Sequence, residues 1–142
     1  MNNNIINVAI DGPAGAGKST VARGAAKQLG YIYVDTGALY RAIGVNALRN
    51  GVDTKDKAAV AASLDGVKVN LVFETGEQMV MLNGEDVSVE IRTREAAMAA
   101  SDVSAVPEVR AFLFNLQRDI AKRNSCIMDG RDIGTVVLPN AQ

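Results

Sequence analysis

Gly12 to Ser19 reads G-P-A-G-A-G-K-S, and the interpretation of the chain turns on these residues. They match the phosphate-loop pattern G-x-x-x-x-G-K-[ST] in full. Gly12, Gly15 and Gly17 allow backbone conformations closed to other residues, so the loop's N–H groups can turn inward around phosphate oxygens. Lys18 brings a positive charge to the β/γ-phosphates, and the Ser19 hydroxyl suits a Mg²⁺ ion. Pro13, Ala14, Ala16 and Thr20 complete the nucleotide-contacting stretch. The flanks agree. Ile5–Asp11 (I-I-N-V-A-I-D) is apolar and too short for a helix, so it reads as a buried strand. From Lys18 to Leu29 the pattern is helical, with Val21, Ala22, Ala25, Ala26 and Leu29 on one face and Gly30 as the stop. Its N-terminus adds a favourable dipole to the anion site. Tyr31–Asp35 is a second short strand. Strand, loop, helix and strand form a βαβ unit, which implies a parallel sheet. The loop reads as a nucleoside-triphosphate site.

Further along, a helix is expected from about Gly37 to Arg49, stopped by Asn50-Gly51, then a short one around Lys55–Leu64. Val67, Val69, Leu71 and Phe73 then alternate with polar residues. Thr75-Gly76 makes a turn, Val80 and Leu82 alternate again, and Asn83-Gly84 is a strong hairpin signal. Antiparallel strands do not belong inside a βαβ sheet, so residues 63–92 are expected to form an inserted three-stranded subdomain. The core then comprises 1–62 and 93–142. Helices should run over Arg92–Val103 and from near Pro107 to about Arg123. Ile127-Met128-Asp129 reads as a further core strand. The fold class is α/β: a P-loop-type parallel sheet flanked by helices, with a small antiparallel insert.

Composition narrows the chemistry. The chain has 142 residues, 48% apolar and 22% charged, with net charge −1, as a soluble globular domain would. No apolar run approaches the roughly 18 residues of a membrane span, and the N-terminus lacks signal-peptide features. One cysteine, Cys126, excludes an intrachain disulfide and points to a reducing cytoplasm; it is expected to be a small core residue. With no basic run, a nucleic-acid polymer is not an expected partner. There is no histidine, which removes Ser-His and Cys-His pairs, histidine bases and histidine zinc sites together. What remains is lysine, arginine, carboxylates, hydroxyls and backbone N–H groups, a set suited to phosphate chemistry.

Asp129 ends an apolar strand, where a P-loop protein places its Mg²⁺-associated carboxylate. Asp11 and Asp35 also end strands, so position alone does not choose among them. For an acceptor, nine of the fifteen basic residues are arginine. Arg41, Arg92, Arg94, Arg110 and Arg131 fall in or beside expected loops and helix ends, and arginine's planar fork grips phosphate bidentately. A phosphate acceptor is already mostly ionised near neutral pH and needs no base. The lack of histidine therefore favours such an acceptor, although Asp35 or Asp132 could act as a base toward a hydroxyl. No N-K-x-D guanine motif appears, which argues against a GTPase switch.

Four stretches together resemble the bacterial cytidylate kinases, nucleoside-monophosphate kinases for CMP and dCMP. They are IDGPAGAGKST (Ile10–Thr20), VDTGALYRA (Val34–Ala42), Glu90–Ser104 with SAVPEVR (Ser104–Arg110), and MDGRDIGTVVLP (Met128–Pro139). The resemblance implies ATP and Mg²⁺, with ATP, CMP and dCMP as the small-molecule partners and pyrimidine nucleotide metabolism as the setting. A cytoplasmic protein acting as a monomer is expected. Thr36 and Arg41 would contact the acceptor phosphate. Ser101, Arg110 and Asp132 would read cytosine, and Arg131 would point into the same pocket as a catalytic group beside Lys18 and Asp129. Hydroxyl, guanidinium and carboxylate can together address the amine, N3 and O2 of cytosine, so UMP should be the poorer substrate.

The resemblance also implies a further strand, an arginine-bearing lid and an adenine loop after Leu138–Gln142, so the chain reads as C-terminally truncated. Two other readings stand beside the kinase: a non-catalytic nucleotide-binding fragment of such an enzyme, and a P-loop kinase acting on a metabolite hydroxyl.

Overall fold

The structure is a computed structural model that describes residues 5–11, 18–74 and 77–130; for Asp11, Lys18, Ser19, Glu74 and Glu77 only the backbone is described. Strands β1 (Asn7–Asp11), β6 (Cys126–Gly130) and β2 (Ile32–Asp35) form a parallel sheet in the order β1-β6-β2. Between them in sequence lie α1 (Lys18–Leu29), α2 (Thr36–Arg49), α3 (Lys57–Ala62), α4 (Arg94–Val103) and α5 (Pro107–Arg123). A separate three-stranded sheet has the order β3 (Val69–Glu74), β4 (Glu77–Leu82), β5 (Glu85–Asp86), with β4 and β5 antiparallel. The α/β class and the antiparallel insert are as expected. The last strand is only two residues long.

In the middle of its sheet, β6 has Cys126, Ile127 and Met128 at 0–2% exposure, so both of its faces are buried. That burial explains why its sequence is a continuous apolar run rather than an alternation. Ile127 meets Ala22 and Ala26 of α1, with Val8, Ile10, Tyr31 and Tyr33 packed around them. The helical stripe is narrower than the sequence suggests: Val21 and Leu29 are 72% and 57% exposed. Val21 sits one residue, about 100°, away from Ala22, and Leu29 is the helix's last residue. Small alanines let the helix lie close to the sheet.

Both helix stops predicted at glycine have a physical basis. Gly30 has φ +72°, with Tyr31 N–H bonding Ala26 C=O at 2.9 Å and Gly30 N–H bonding Lys27 C=O at 3.4 Å. Gly51, at φ +65°, repeats the arrangement: Val52 N–H reaches Ala47 C=O at 2.9 Å and Gly51 N–H reaches Leu48 C=O at 3.2 Å. These are Schellman ends, which require the left-handed backbone that glycine adopts without strain.

Two helix starts differ from expectation, each because a side chain captures the first turn. Thr93 accepts from Ala96 N–H at 3.1 Å, so α4 begins at Arg94, preceded by a 3₁₀ turn at Glu90–Arg92. Asp56 accepts from Ala59 N–H at 3.2 Å and starts α3 at Lys57. Such caps contribute roughly 1 kcal/mol each.

The described residues form two compact units. One holds β1, α1, β2, Thr36, Glu77, Gln78 and the chain from Phe114; the other holds Gly37–Glu74 and Met79–Leu113. The second draws in more chain than the insert expected over 63–92. Asn46 of α2 bonds the Ser63 carbonyl at 3.2 Å, Thr54 bonds Asp102 at 2.6 Å, and Arg49 pairs with Glu85 at 2.8 Å and with Glu90. These bonds join α2 to the end of α3, to β5 and to the 3₁₀ turn, and the loop before α3 to α4. At the crossing of α2 and α4, Gly44 packs directly on Ala99.

Candidate functional site

In open parallel sheets, ligands bind beyond the carboxyl ends of the strands. Three aspartates sit there. Asp35 pairs in register with Asp129, and Asp11 with Gly130. Their sequence positions do not separate them; the surroundings of Asp129 set it apart.

Asp129 is 7% exposed, and a carboxylate that buried needs hydrogen-bond donors. Tyr33 donates its hydroxyl to Asp129 Oδ2 at 2.8 Å. Thr36 donates its Oγ1–H to the Asp129 main-chain carbonyl at 2.9 Å. Residues two apart on a strand share a face, so Ile127 and Asp129 point the same way, as do Tyr33 and Asp35. Ile127 and Tyr33 both pack in the α1 cluster, which puts Asp129 on the face covered by the helix that follows the phosphate loop. The Arg23 guanidinium, also from α1, lies 5.2 Å from the centre of the Tyr33 ring. Burial first, and then the bond to Asp129, push the Tyr33 hydroxyl well above the usual phenol range, so it stays protonated and remains a donor.

The neighbouring Asp35 is held through its backbone. Its N–H donates to Gln78 Oε1 at 3.0 Å, and Gln78 Nε2 donates back to the Asp35 carbonyl at 3.4 Å. One primary amide therefore satisfies both backbone groups of the residue preceding Thr36.

In the other unit, Ser101 near the end of α4 and Arg110 in the first turn of α5 are linked through Ser104. Arg110 Nη1 donates to the Ser104 carbonyl at 3.4 Å, and the Ser104 hydroxyl donates to the Ser101 carbonyl at 2.8 Å. Ser101 and Arg110 are both exposed, as is Arg41 on α2. Thr36, by contrast, is 3% exposed with its hydroxyl proton committed to Asp129. A phosphate contact at Thr36 would therefore run through the start of α2 rather than through that proton.

Gly12, Pro13, Ala14, Gly15, Ala16, Gly17, Arg131 and Asp132 lie outside the described residues, as do the side chains of Lys18 and Ser19. Thr20 is exposed in the first turn of α1. Among the described residues no three His, Cys, Asp or Glu side chains cluster as a metal cage. Magnesium in nucleotide enzymes takes one or two carboxylates plus phosphate oxygens and water, so a single strand-end carboxylate with hard oxygen donors suits it. Cys126 is buried as expected, and its thiol is pushed up to about 11 by that burial.

The sequence reading missed Tyr33 and Gln78. Tyr33 carries a usable signal, since Y-I-Y-V-D places its side chain on the Asp35 face. Gln78 carries none beyond its place in an alternating strand.

Residues 8–142 match the model of the family described as cytidylate kinase. The chain belongs to that family. Cytidylate kinases of Caldicellulosiruptor bescii, Lactobacillus johnsonii and Pelotomaculum thermopropionicum are similar to it at 51%, 51% and 50% identity, over 96%, 99% and 99% of this chain. It spans 61–62% of the length of these relatives.

Proposed function

We propose that the chain carries the donor and acceptor half-sites of a (d)CMP kinase, which transfers the γ-phosphoryl group of ATP in line to CMP or dCMP. The observation that supports this best is Asp129: a carboxylate buried at a central strand end, on the face covered by the helix after the phosphate loop, and fixed by two donors from the β2–α2 segment. A P-loop protein keeps a carboxylate at that place for the metal–nucleotide complex.

In this reading Lys18 and the amides of Gly12–Ser19 hold the triphosphate. Ser19 and Asp129 would hold Mg²⁺, which when bound neutralises charge building on the transferring phosphoryl group. Arg41 and Arg131, with the start of α2 at Thr36, hold the acceptor phosphate. Ser101, Arg110 and Asp132 read the base. Catalysis rests on positioning and charge stabilisation, since an ionised phosphate acceptor needs no base. The setting is pyrimidine nucleotide metabolism in the cytoplasm, with nucleotides rather than nucleic-acid polymers as partners and a monomer as the working form. In this reading residues 63–92 are the antiparallel part of the acceptor subdomain.

The test is ADP release by this 142-residue chain with ATP, Mg²⁺ and CMP, UMP, AMP or no acceptor, beside calorimetric CMP binding. CMP-dependent ADP formation that exceeds the rate with UMP supports the kinase. CMP binding without ADP would reduce the chain to a nucleotide-binding fragment. ADP formation driven by small alcohols or nucleosides in place of monophosphates would overturn the acceptor assignment.

A further inference from the structure

We propose that Tyr33 is a positioning residue of the phosphoryl-donor site, whose hydroxyl sets the Asp129 carboxylate in the orientation that receives a divalent cation carried by a nucleoside triphosphate. The proposal rests on the donor-site reading above and assigns a role that the phosphate-loop pattern does not contain.

The terminal torsion of an aspartate is broad, so burial alone does not fix where its oxygens point. Tyr33 removes that freedom. Its hydroxyl takes Oδ2 at 2.8 Å, and its ring is itself held, packed in the Ala22–Ala26–Ile127 cluster with the Arg23 guanidinium 5.2 Å from the ring centre. The Thr36 hydroxyl fixes the same residue's carbonyl at 2.9 Å, so backbone and carboxylate of Asp129 are each tied to one β2–α2 segment. The choice of donor matters. A phenol is neutral, so it orients Oδ2 through a hydrogen bond without itself adding a positive charge beside the carboxylate. Outer partners of this kind typically contribute 10–100-fold to metal affinity.

The experiment is Tyr33→Phe, which keeps the ring and its packing and deletes only the hydroxyl. Mn²⁺ is titrated by electron paramagnetic resonance into the parent and the variant with saturating ATP, and metal-free ATP binding is measured in chelator by calorimetry. The expected result is Mn²⁺ affinity in the ATP complex lowered about ten-fold, at the low end of the outer-partner range, with metal-free ATP affinity unchanged. Tyr33→Phe added to Asp129→Asn should then have no further effect on Mn²⁺, because the two groups act as one unit. Unchanged Mn²⁺ affinity in Tyr33→Phe overturns the proposal and leaves the donor site standing. Equal weakening of metal-free and metal-bound ATP also overturns it, since that marks a merely structural role. If the parent binds ATP no better with Mn²⁺ than without, the donor-site reading fails and the proposal falls with it.

Discussion

Gly44→Ala and Gly24→Ala make the same chemical change in two helices, and the structure assigns them opposite signs. A Cβ added at Gly44 of α2 would lie 2.8 Å from Ala99 Cβ, 3.0 Å from Ala100 N and 3.1 Å from Ala99 C. Carbon atoms in good contact sit about 3.5–4.0 Å apart, so α4 must retreat by roughly half an ångström or more. Two of the three obstructing atoms are backbone and cannot rotate away. Overpacking costs about 1–3 kcal/mol, and a fixed backbone argues for the upper half of that range. Alanine returns roughly 1 kcal/mol of helix propensity, leaving a net loss of about 1–2 kcal/mol. At Gly24 of α1, nothing lies within 4 Å of the added carbon, so the propensity gain of about 0.5–1 kcal/mol stands alone. Urea unfolding followed by far-ultraviolet circular dichroism reads both midpoints, and the two variants should be separated by about 2 kcal/mol. A Gly44→Ala chain as stable as the parent would refute the packing argument, as would two midpoints moving the same way.

Two other outcomes follow from buried groups. Cys126 is fully buried with its thiol raised to about 11, so it should resist a disulfide-exchange reagent at neutral pH and react only when urea unfolds the chain; rapid labelling of the folded protein would contradict this. Gln117 is 1% exposed in the middle of the buried Leu113–Gln117–Ala121 stripe of α5, and its Oε1 has no hydrogen-bond partner among the described residues. An orphaned buried acceptor costs about 1–3 kcal/mol, so Gln117→Met should unfold at the parent's urea concentration or higher; a loss above about 1 kcal/mol would show that the amide carries an essential bond.

Local physics made much of this fold legible in advance. The glycine loop between a short apolar run and an alanine-rich helix announced the βαβ unit, and helix α1 runs over Lys18–Leu29 as the pattern said. Asn83-Gly84 turns the second hairpin with positive φ at both residues, and Pro107 opens α5. Boundaries slipped where a polar side chain outbid the apolar pattern, as Thr93 did by capping α4 two residues later than hydrophobicity suggested. The site was legible in its parts and not in its connections. Tyr33 and Asp129 are separated by 96 positions, Asp35 and Gln78 by 43. Periodicity reports only which face a residue shares with its near neighbours, so no count of apolar spacings brings such pairs together. The buried hydroxyl of Thr36 shows the same limit: its segment was flagged, yet the direction of its proton was set by a strand far along the chain.

The amide of Gln78 has a consequence for what the protein avoids. β2 is at one edge of the described sheet, and an edge strand offers backbone groups to any extended chain that drifts by. Ile32 N–H turns inward to the Ser125 carbonyl, so alternation along the strand turns Tyr33 and Asp35 outward. Gln78 occupies Asp35 on both its donor and its acceptor, acting as a one-residue substitute for a neighbouring strand. On a strand of four residues that leaves Tyr33 as the one other outward position, too little to template a ladder. A side chain that steadies the approach to Thr36 therefore also guards the β2 edge against pairing with a second molecule, and removing it should be felt first as stickiness between molecules at high concentration.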